Sequence, residues 1–395
     1  MLKKEIPARG MSTFWDKQPV CTDATFLDSA DLEIVTSPIA FTFEKQLQRN
    51  NFAFADIKDI STDDIYNFLL KHNDLGEVTH TLLDKKCIEE LRSSKDTIWT
   101  ILVAKGESPD ATPVHIIGFL ICRIFDVKIP NSNSGTGNSV VKKVANYSYL
   151  CIETSQRGKK LAAVVIQKAM YEATSKGIFI AYQQNEINKG ISKNLIKFKH
   201  WFRPLDYEFC KAADCVPLKG SRKDFRKDFR VHPYKFVTCT IGDTPETKQQ
   251  ICQRIQFLWD EAALKSGENT NVPLQMTFES FKDFYALSCY MLLEFSKNDA
   301  ILGYCVVRKW PQYFRNIKKV VMVPLVEMFC APAFCVHNLL AQFEDEYPFV
   351  YFNQLGQITE EMMHEVKAFP TGSSYLNWVN WKGIYAAEDI HLPLF

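Results

Sequence analysis

Tyr149-Leu150-Cys151-Ile152-Glu153-Thr154-Ser155-Gln156-Arg157-Gly158-Lys159-Lys160-Leu161-Ala162-Ala163 reads as a strand that ends in a polar turn and re-enters at once as a helix. The strand spans Ala145 to Ile152, the helix runs from about Lys159 to Ser175, and Gly177 supplies a C-terminal stop signal. Such a turn points backbone N–H groups at one spot, and the helix dipole adds positive partial charge there, so the stretch suits a phosphate. Gly158, Ala162 and Ala163 are small enough to let a pyrophosphate approach the main chain, and Lys159 and Lys160 add charge. An ordinary strand-to-helix connection with a solvated basic turn would carry the same residues.

Outward from this stretch the chain divides into two similar halves. Upstream, Asp63 to Leu70 sets apolar residues at i, i+3 and i+4 behind an acidic first turn, the pattern of an amphipathic helix. Thr97 to Ala104 and His115 to Phe125 predict a hairpin, with Gly106, Pro109 and Asp110 as its turn. Pro130 to Ser139, rich in Asn, Ser and Gly, predicts a surface loop, and a strand at Ile178 to Tyr182 closes the unit. The order recurs downstream as a helix at Lys248 to Ala262, a hairpin of Leu287 to Phe295 with Ala300 to Val307, and a strand at Val320 to Val326. A helix at Pro332 to Glu344 and a strand at Phe349 to Phe352 complete it. Gly118-Phe119 and Gly303-Tyr304 mark equivalent strands 185 residues apart, the signature of an internal duplication. Residues 1–50 show little periodicity and read as an extended arm carrying the pair Phe14-Trp15.

Composition narrows the function classes. A chain of 395 residues has room for two cores. Lys and Arg (47) balance Asp and Glu (46), so no overall field draws it to nucleic acid or to an anionic membrane. The twelve cysteines include no Cys-x-x-Cys pair, which favours reduced, buried thiols over disulfides or zinc. With no apolar h-region at the start and no uninterrupted apolar run long enough to span a bilayer, a cytoplasmic protein without integral membrane association is expected. The basic run Lys219 to Lys235 is diluted by Asp224 and Asp228 and reads as a solvated connector between halves. His200 and His337 have no serine or cysteine identifiably paired with them in the sequence, and both read as structural histidines.

Arg157-Gly158-Lys159-Lys160-Leu161-Ala162 resembles the acyl-CoA pyrophosphate loop of the GNAT superfamily, with Lys160 where an inner glycine is usual. Phe14-Trp15-x-x-Gln18-Pro19-Val20 and the strand before Arg157 are similar to one branch of it, the N-myristoyltransferases. Gly118-Phe119, Gly177-Ile178-Phe179, Trp201-x-Arg203-x-Leu205, Phe352-Asn353-x-Leu355 and Asn380-Trp381-Lys382 extend that resemblance in order along nearly the whole chain.

The resemblance implies an α+β fold of two tandem GNAT-like halves, with flanking helices on one continuous, saddle-shaped, mostly antiparallel sheet. Residues 1–230 would bind acyl-CoA; residues 231–395 would bind the peptide acceptor and carry the catalytic C-terminus. It implies transfer of myristate from myristoyl-CoA to the N-terminal glycine amine of a protein, without a metal, by a monomer. Leu2 excludes the chain as its own substrate. By position, Thr13, Phe14 and Trp15 would touch the acyl-CoA, as would Tyr149, Leu150, Cys151 and Ile152. Arg157, Gly158, Lys159, Lys160, Leu161 and Ala162 would hold its phosphates. The backbone N–H groups of Tyr149 and Leu150 would form the oxyanion hole, and the α-carboxylate of Phe395 would be the base. An exposed α-carboxyl titrates near about 3.5, far below an amine near about 8, and burial of the apolar tail Leu392-Pro393-Leu394-Phe395 would narrow that gap.

The acceptor half departs from the family. Its acidic run is reduced to two acids in Asn73 to Val78, its threonine beside the incoming glycine becomes Gln184, its Asp becomes Gly356, and its Gly-Asp-Gly loop becomes Thr371-Gly372-Ser373-Ser374. Loss of carboxylates removes the preference for a lysine in the acceptor. The sequence therefore also admits a respecified or catalytically inactive acyl-CoA-binding paralogue.

Overall fold

The computed structural model describes residues 40–75, 79–105, 114–130, 139–185, 195–215, 220–265, 274–379 and 390–392. Thr13, Phe14, Trp15, Asn380 to Lys382 and Phe395 lie outside the described residues.

The stretch read as an extended arm ends in a helix, α1 (Glu44–Arg49), followed by β1 (Phe52–Ala55). α1 buries only Leu47, too little periodicity to register in the sequence. The predicted amphipathic helix is α2 (Thr62–His72); Ser61 caps it by accepting from the Asp64 N–H, and Ile65, Phe68, Leu69 and His72 form its buried face. After β2 (Asp74–Leu75) and β3 (Thr79–Thr81) comes α3 (Lys85–Arg92), capped by Asp84. β4 (Thr97–Ala104), β5 (Ile116–Pro130), β6 (Ser139–Ile152), α4 (Leu161–Ser175) and β7 (Ile180–Asn185) form the first repeat. α4 stops where expected: Gly177 takes φ 76° and the Ile178 N–H turns back to the Ala173 carbonyl at 3.0 Å.

β8 (Leu195–Pro204), α5 (Tyr207–Ala213), α6 (Arg222–Asp228) and β9 (Thr238–Gly242) lead onward. The basic connector is thus partly helical: Ser221 and Asp224 form a reciprocal capping box, and Phe225 is buried while its charged neighbours stay exposed. α7 (Pro245–Lys265), β10 (Leu274–Met276) and α8 (Phe278–Tyr285) precede the second repeat, which is β11 (Tyr290–Lys297), β12 (Ala300–Phe314), β13 (Lys319–Cys330), α9 (Cys335–Phe343) and β14 (Phe349–Asn353). α10 (Glu360–Glu365), β15 (Phe369–Val379) and β16 (Ile390–His391) follow.

All these strands belong to one sheet whose main path runs β1-β4-β5-β6-β7-β15-β8-β14-β13-β12-β11-β9. Among the described strands only β6 with β7, β13 with β14 and β10 with β16 pair in parallel, so the sheet is mostly antiparallel, as expected for two tandem halves. β15 and β8 stand between the repeats and join them through continuous ladders. α4 covers one face of the first repeat over Leu102, Leu120 and Ala145, and α9 covers one face of the second over Val307, Phe329 and Val350. On the remaining face a shared core joins residues of α2 and α3 to residues of α7 and α8 around Phe125, Tyr182, Tyr285 and Tyr304. Among the described residues eleven cysteines are free, eight of them buried. Among the described residues no helix is long and apolar enough to cross a membrane.

Candidate active site

In the first repeat, Phe119 pairs with Cys151 and Ile121 pairs with Ser148, so the register of β5 with β6 skips Tyr149 and Leu150. Two residues opposite Leu120 make a β-bulge, which turns peptide groups out of the ladder. Tyr149 takes φ 55°, a left-handed conformation that costs a side-chain-bearing residue about 1–2 kcal/mol. The Tyr149 hydroxyl is held at both ends. It accepts from Arg308 Nη2 at 2.8 Å and donates to the Leu82 carbonyl at 3.1 Å. The last parallel pair of β6 with β7 is Tyr147 with Gln183; beyond it the strands part at the bulge.

The second repeat repeats this feature. Val306 pairs with Met328 and Val307 with Val326, leaving Glu327 as the bulged residue. The Glu327 carboxylate meets Arg308 Nη1 at 3.4 Å, so one buried guanidinium links the bulges of the two repeats. Burial pushes the Glu327 carboxyl up to about 7, against the pull of Arg308 and Arg123, while Arg308, which burial alone would weaken, holds its proton more firmly beside Tyr149 and Glu327. Arg308 does not offset the burial of the carboxyl, because it reaches one oxygen across a long contact and Glu327 Oε2 has no hydrogen-bond partner among the described residues.

Past the first bulge, Cys151 and Ile152 are buried in apolar clusters and offer only backbone to a ligand. Arg157 turns inward: Nε donates to the Ile152 carbonyl at 3.2 Å and Nη2 donates to the His72 carbonyl. The Thr154 N–H donates to His72 Nδ1 at 3.3 Å, so the end of α2 braces the whole turn. Gly158 takes φ 85°, which a glycine adopts at no steric cost, and Lys160 takes φ 60° as the N-cap residue of α4. No side chain caps this 15-residue helix, and Gly158, Lys159 and Lys160 are exposed. The first-turn N–H groups have no intrahelical acceptor, which together with the dipole gives the turn the chemistry that suits an anion. In the second repeat the corresponding N–H groups are already engaged: those of Cys335, Val336 and His337 donate to the carbonyls of Pro332, Ala333 and Phe334. A Cβ on Gly303 would lie 2.1 Å from the Cys330 carbonyl oxygen, and no residue from Cys330 to Phe334 is left-handed.

A polar row crosses the four strands at the junction of the repeats, β7, β15, β8 and β14. Gln184 Nε2 donates to Ser374 Oγ at 3.1 Å, and Ser374 Oγ meets His200 Nε2 at 2.6 Å. His200 Nδ1 meets Asn353 Oδ1 at 2.7 Å. The register places all four on one face of β7, β15, β8 and β14. Gln184 is one residue beyond Gln183, the partner of Tyr147, so the row begins on the strand beside the bulge. Ser374 and Asn353 are buried, and burial lowers the pKa of His200. This corrects the reading of His200 as unpaired with a serine. His337 instead contacts Glu365 at 3.2 Å and fits a structural part. Arg308, Glu327 and the serine–histidine pairing escaped the sequence reading because each contact joins residues more than 150 apart or depends on a bulge; Gln184, His200, Asn353 and Ser374 were each in view singly, but not as a row.

No protein-family model matches the sequence, and no curated protein matches it. Solved structures do. A crystal structure of Saccharomyces cerevisiae N-myristoyltransferase with bound myristoyl-CoA is similar at TM-score 0.69 and 12% identity, over 97% of this chain and 91% of that one. A second such structure gives 0.68 and 13% identity, over 95% and 94%. One with myristoyl-CoA and inhibitors gives 0.66 and 12%, over 94% and 90%. The resemblance read from scattered motifs therefore holds at the level of tertiary structure: this chain has the N-myristoyltransferase fold.

Proposed function

We propose that the chain transfers myristate from myristoyl-CoA to the N-terminal glycine amine of proteins. The observation that carries this reading is the Tyr149–Leu150 bulge, which opens the sheet directly before an uncapped helix N-terminus with Gly158 and Lys160 left-handed. A bulge N–H pair next to an anion turn is what a thioester joined to a pyrophosphate needs: phosphates on the turn, carbonyl oxygen at the bulge. Myristoyl-CoA is the ligand named for the yeast neighbours, and its binding would fall to residues 1–230, with Thr13, Phe14 and Trp15 contributing. The engaged N–H groups of the second turn favour one acyl-CoA per chain, leaving residues 231–395 for the acceptor peptide.

The amine attacks the thioester carbon directly, the N–H groups of Tyr149 and Leu150 hold the oxyanion, and the α-carboxylate of Phe395 takes the proton of the bound amine after attack and delivers it to the departing sulfur. Support for that base is the path of the tail: β16 is paired in the sheet and Leu392 is buried in the shared core. The reading places the reaction in the cytoplasm, on a monomer.

Labelled myristoyl-CoA and a library of N-terminal glycine peptides test the reading, with the full chain compared with one ending at Leu392. Transfer by the full chain, with a loss of about 10²-fold or more in a truncated chain that still binds myristoyl-CoA, is the expected result. Binding without transfer by either form would make the protein an acyl-CoA-binding paralogue.

A further inference from the structure

We propose that Ser374 and His200 form a proton relay for the acceptor: the Ser374 hydroxyl takes a proton from the acceptor's α-ammonium while passing its own to His200 Nε2. Asn353 is the positioning residue that keeps the imidazole in the receiving tautomer. The proposal rests on the acyltransferase reading and assigns the acceptor end of the same site.

The geometry has one consistent proton arrangement. Asn353 Oδ1 only accepts, so His200 Nδ1 at 2.7 Å carries the ring proton, and Nε2 is the lone pair that receives the Ser374 hydroxyl at 2.6 Å. The Gln184 amide nitrogen, 3.1 Å from Ser374 Oγ, is an N–H donor standing where the acceptor nitrogen would donate. Gln184 is half-buried, on the strand beside the oxyanion bulge, and its side chain is what an entering amine displaces. Around the ring, Phe198 packs edge-on from β8, Ser374 and Gln184 come from β15 and β7, and Asn353 comes from β14. None of these carries a charge. The charged pair Lys199 and Glu360 contacts the opposite face of β8. Burial favours the neutral ring, which is the form that can accept a proton.

The chemistry requires such a group. The acceptor arrives as an ammonium without a lone pair and must lose one proton before attack and a second after the C–N bond forms. In the proposed division, the first proton crosses Ser374 to His200 and leaves to solvent from the half-buried ring. The second goes through the Phe395 carboxylate to the coenzyme A sulfur as the C–S bond breaks. Products are the amide, the thiol and one released proton. A free imidazole titrates at about 6.5, closer to an amine at about 8 than a carboxylate at about 3.5; burial moves His200 down from that value, and its hydrogen bond to Asn353 works against the shift.

The test measures kcat/KM with myristoyl-CoA and an N-terminal glycine peptide from pH 6 to pH 9.5 for the full chain and for His200→Gln, Ser374→Ala and the double variant. Each single variant is expected to lose about 10²-fold at pH 6.5 and to converge toward the parent at pH 9.5, where the free amine no longer needs deprotonation. The double variant should lose no more than the worse single one, because the pair acts as a unit. The Leu392-terminated chain should stay impaired at pH 9.5. Myristoyl-CoA binding and thermal midpoint establish that each variant is folded; if His200→Gln does not fold, Ser374→Ala carries the test. A loss equal at all pH values, or no loss at pH 6.5, overturns the relay while leaving the acyltransferase reading standing. A parent chain that transfers nothing at any pH overturns both.

Discussion

Replacing Glu327 by glutamine removes a buried acid while keeping its shape, and its effect on stability depends on pH with a definite sign. The Glu327 side chain is fully buried, and burial raises its carboxyl from 4.5 to about 7. A group whose folded pKa is raised contributes stability that is fully present below the unfolded value and is lost as pH rises through the folded one. Glu327 should therefore cost the native state up to about 3 kcal/mol between pH 4.5 and pH 7, from about 1.4 kcal/mol per unit. Glutamine does not titrate, and its amide oxygen still accepts from Arg308. The difference in stability between Glu327→Gln and the parent should thus move in favour of the variant by most of that amount between pH 5 and pH 8. For a chain of this length that is about 3 °C in thermal midpoint, readable by calorimetry. Other titrating groups cancel because both proteins carry them. A difference that stays constant with pH, or moves in favour of the parent, would refute the reasoning and show the carboxylate ionised and held by Arg308.

Three further outcomes follow from the geometry. Gly303→Ala drives a Cβ against the backbone of Cys330 and Ala331, whereas Gly118→Ala meets side-chain atoms, Ile152 Cδ1 and Val165 Cγ2 at 3.0 Å and Leu102 Cβ at 3.4 Å; urea unfolding should show a loss above about 3 kcal/mol for the first and about 1 kcal/mol for the second. Gly158→Ala has free space for its methyl group but a φ of 85° to maintain, so calorimetric titration should find acyl-CoA affinity reduced about 10-fold with the thermal midpoint changed by only about 1–2 °C. Arg157→Ala should weaken acyl-CoA binding by loosening the turn that it ties to His72, a loss that persists in high salt, while the loss in Lys160→Ala should shrink as salt screens an exposed charge.

Residues 149–163 determined a good deal by themselves. A run of strand formers, a polar turn with glycine and a small-residue helix start are local signals, and the strand, turn and helix formed where they lie because backbone hydrogen bonding within a few residues decides them. The paired Gly118 and Gly303 likewise pointed to the duplication, and at both sites a Cβ would be crowded, by the side chains of Ile152 and Val165 at Gly118 and by the backbone of Cys330 and Ala331 at Gly303. The bulge is only half local: Tyr149 reaches its left-handed conformation with its hydroxyl anchored by Arg308, 159 residues away. The row Gln184, Ser374, His200 and Asn353 is not local at all. Its members meet because β15 and β8 insert between the repeats, and strand order is fixed by packing of whole faces rather than by any residue's neighbours in sequence. Local chemistry in the sequence announced the strand, the turn and the helix start; only the tertiary structure, by choosing which strands lie side by side, brought a serine, a histidine and an asparagine into one hydrogen-bonded line.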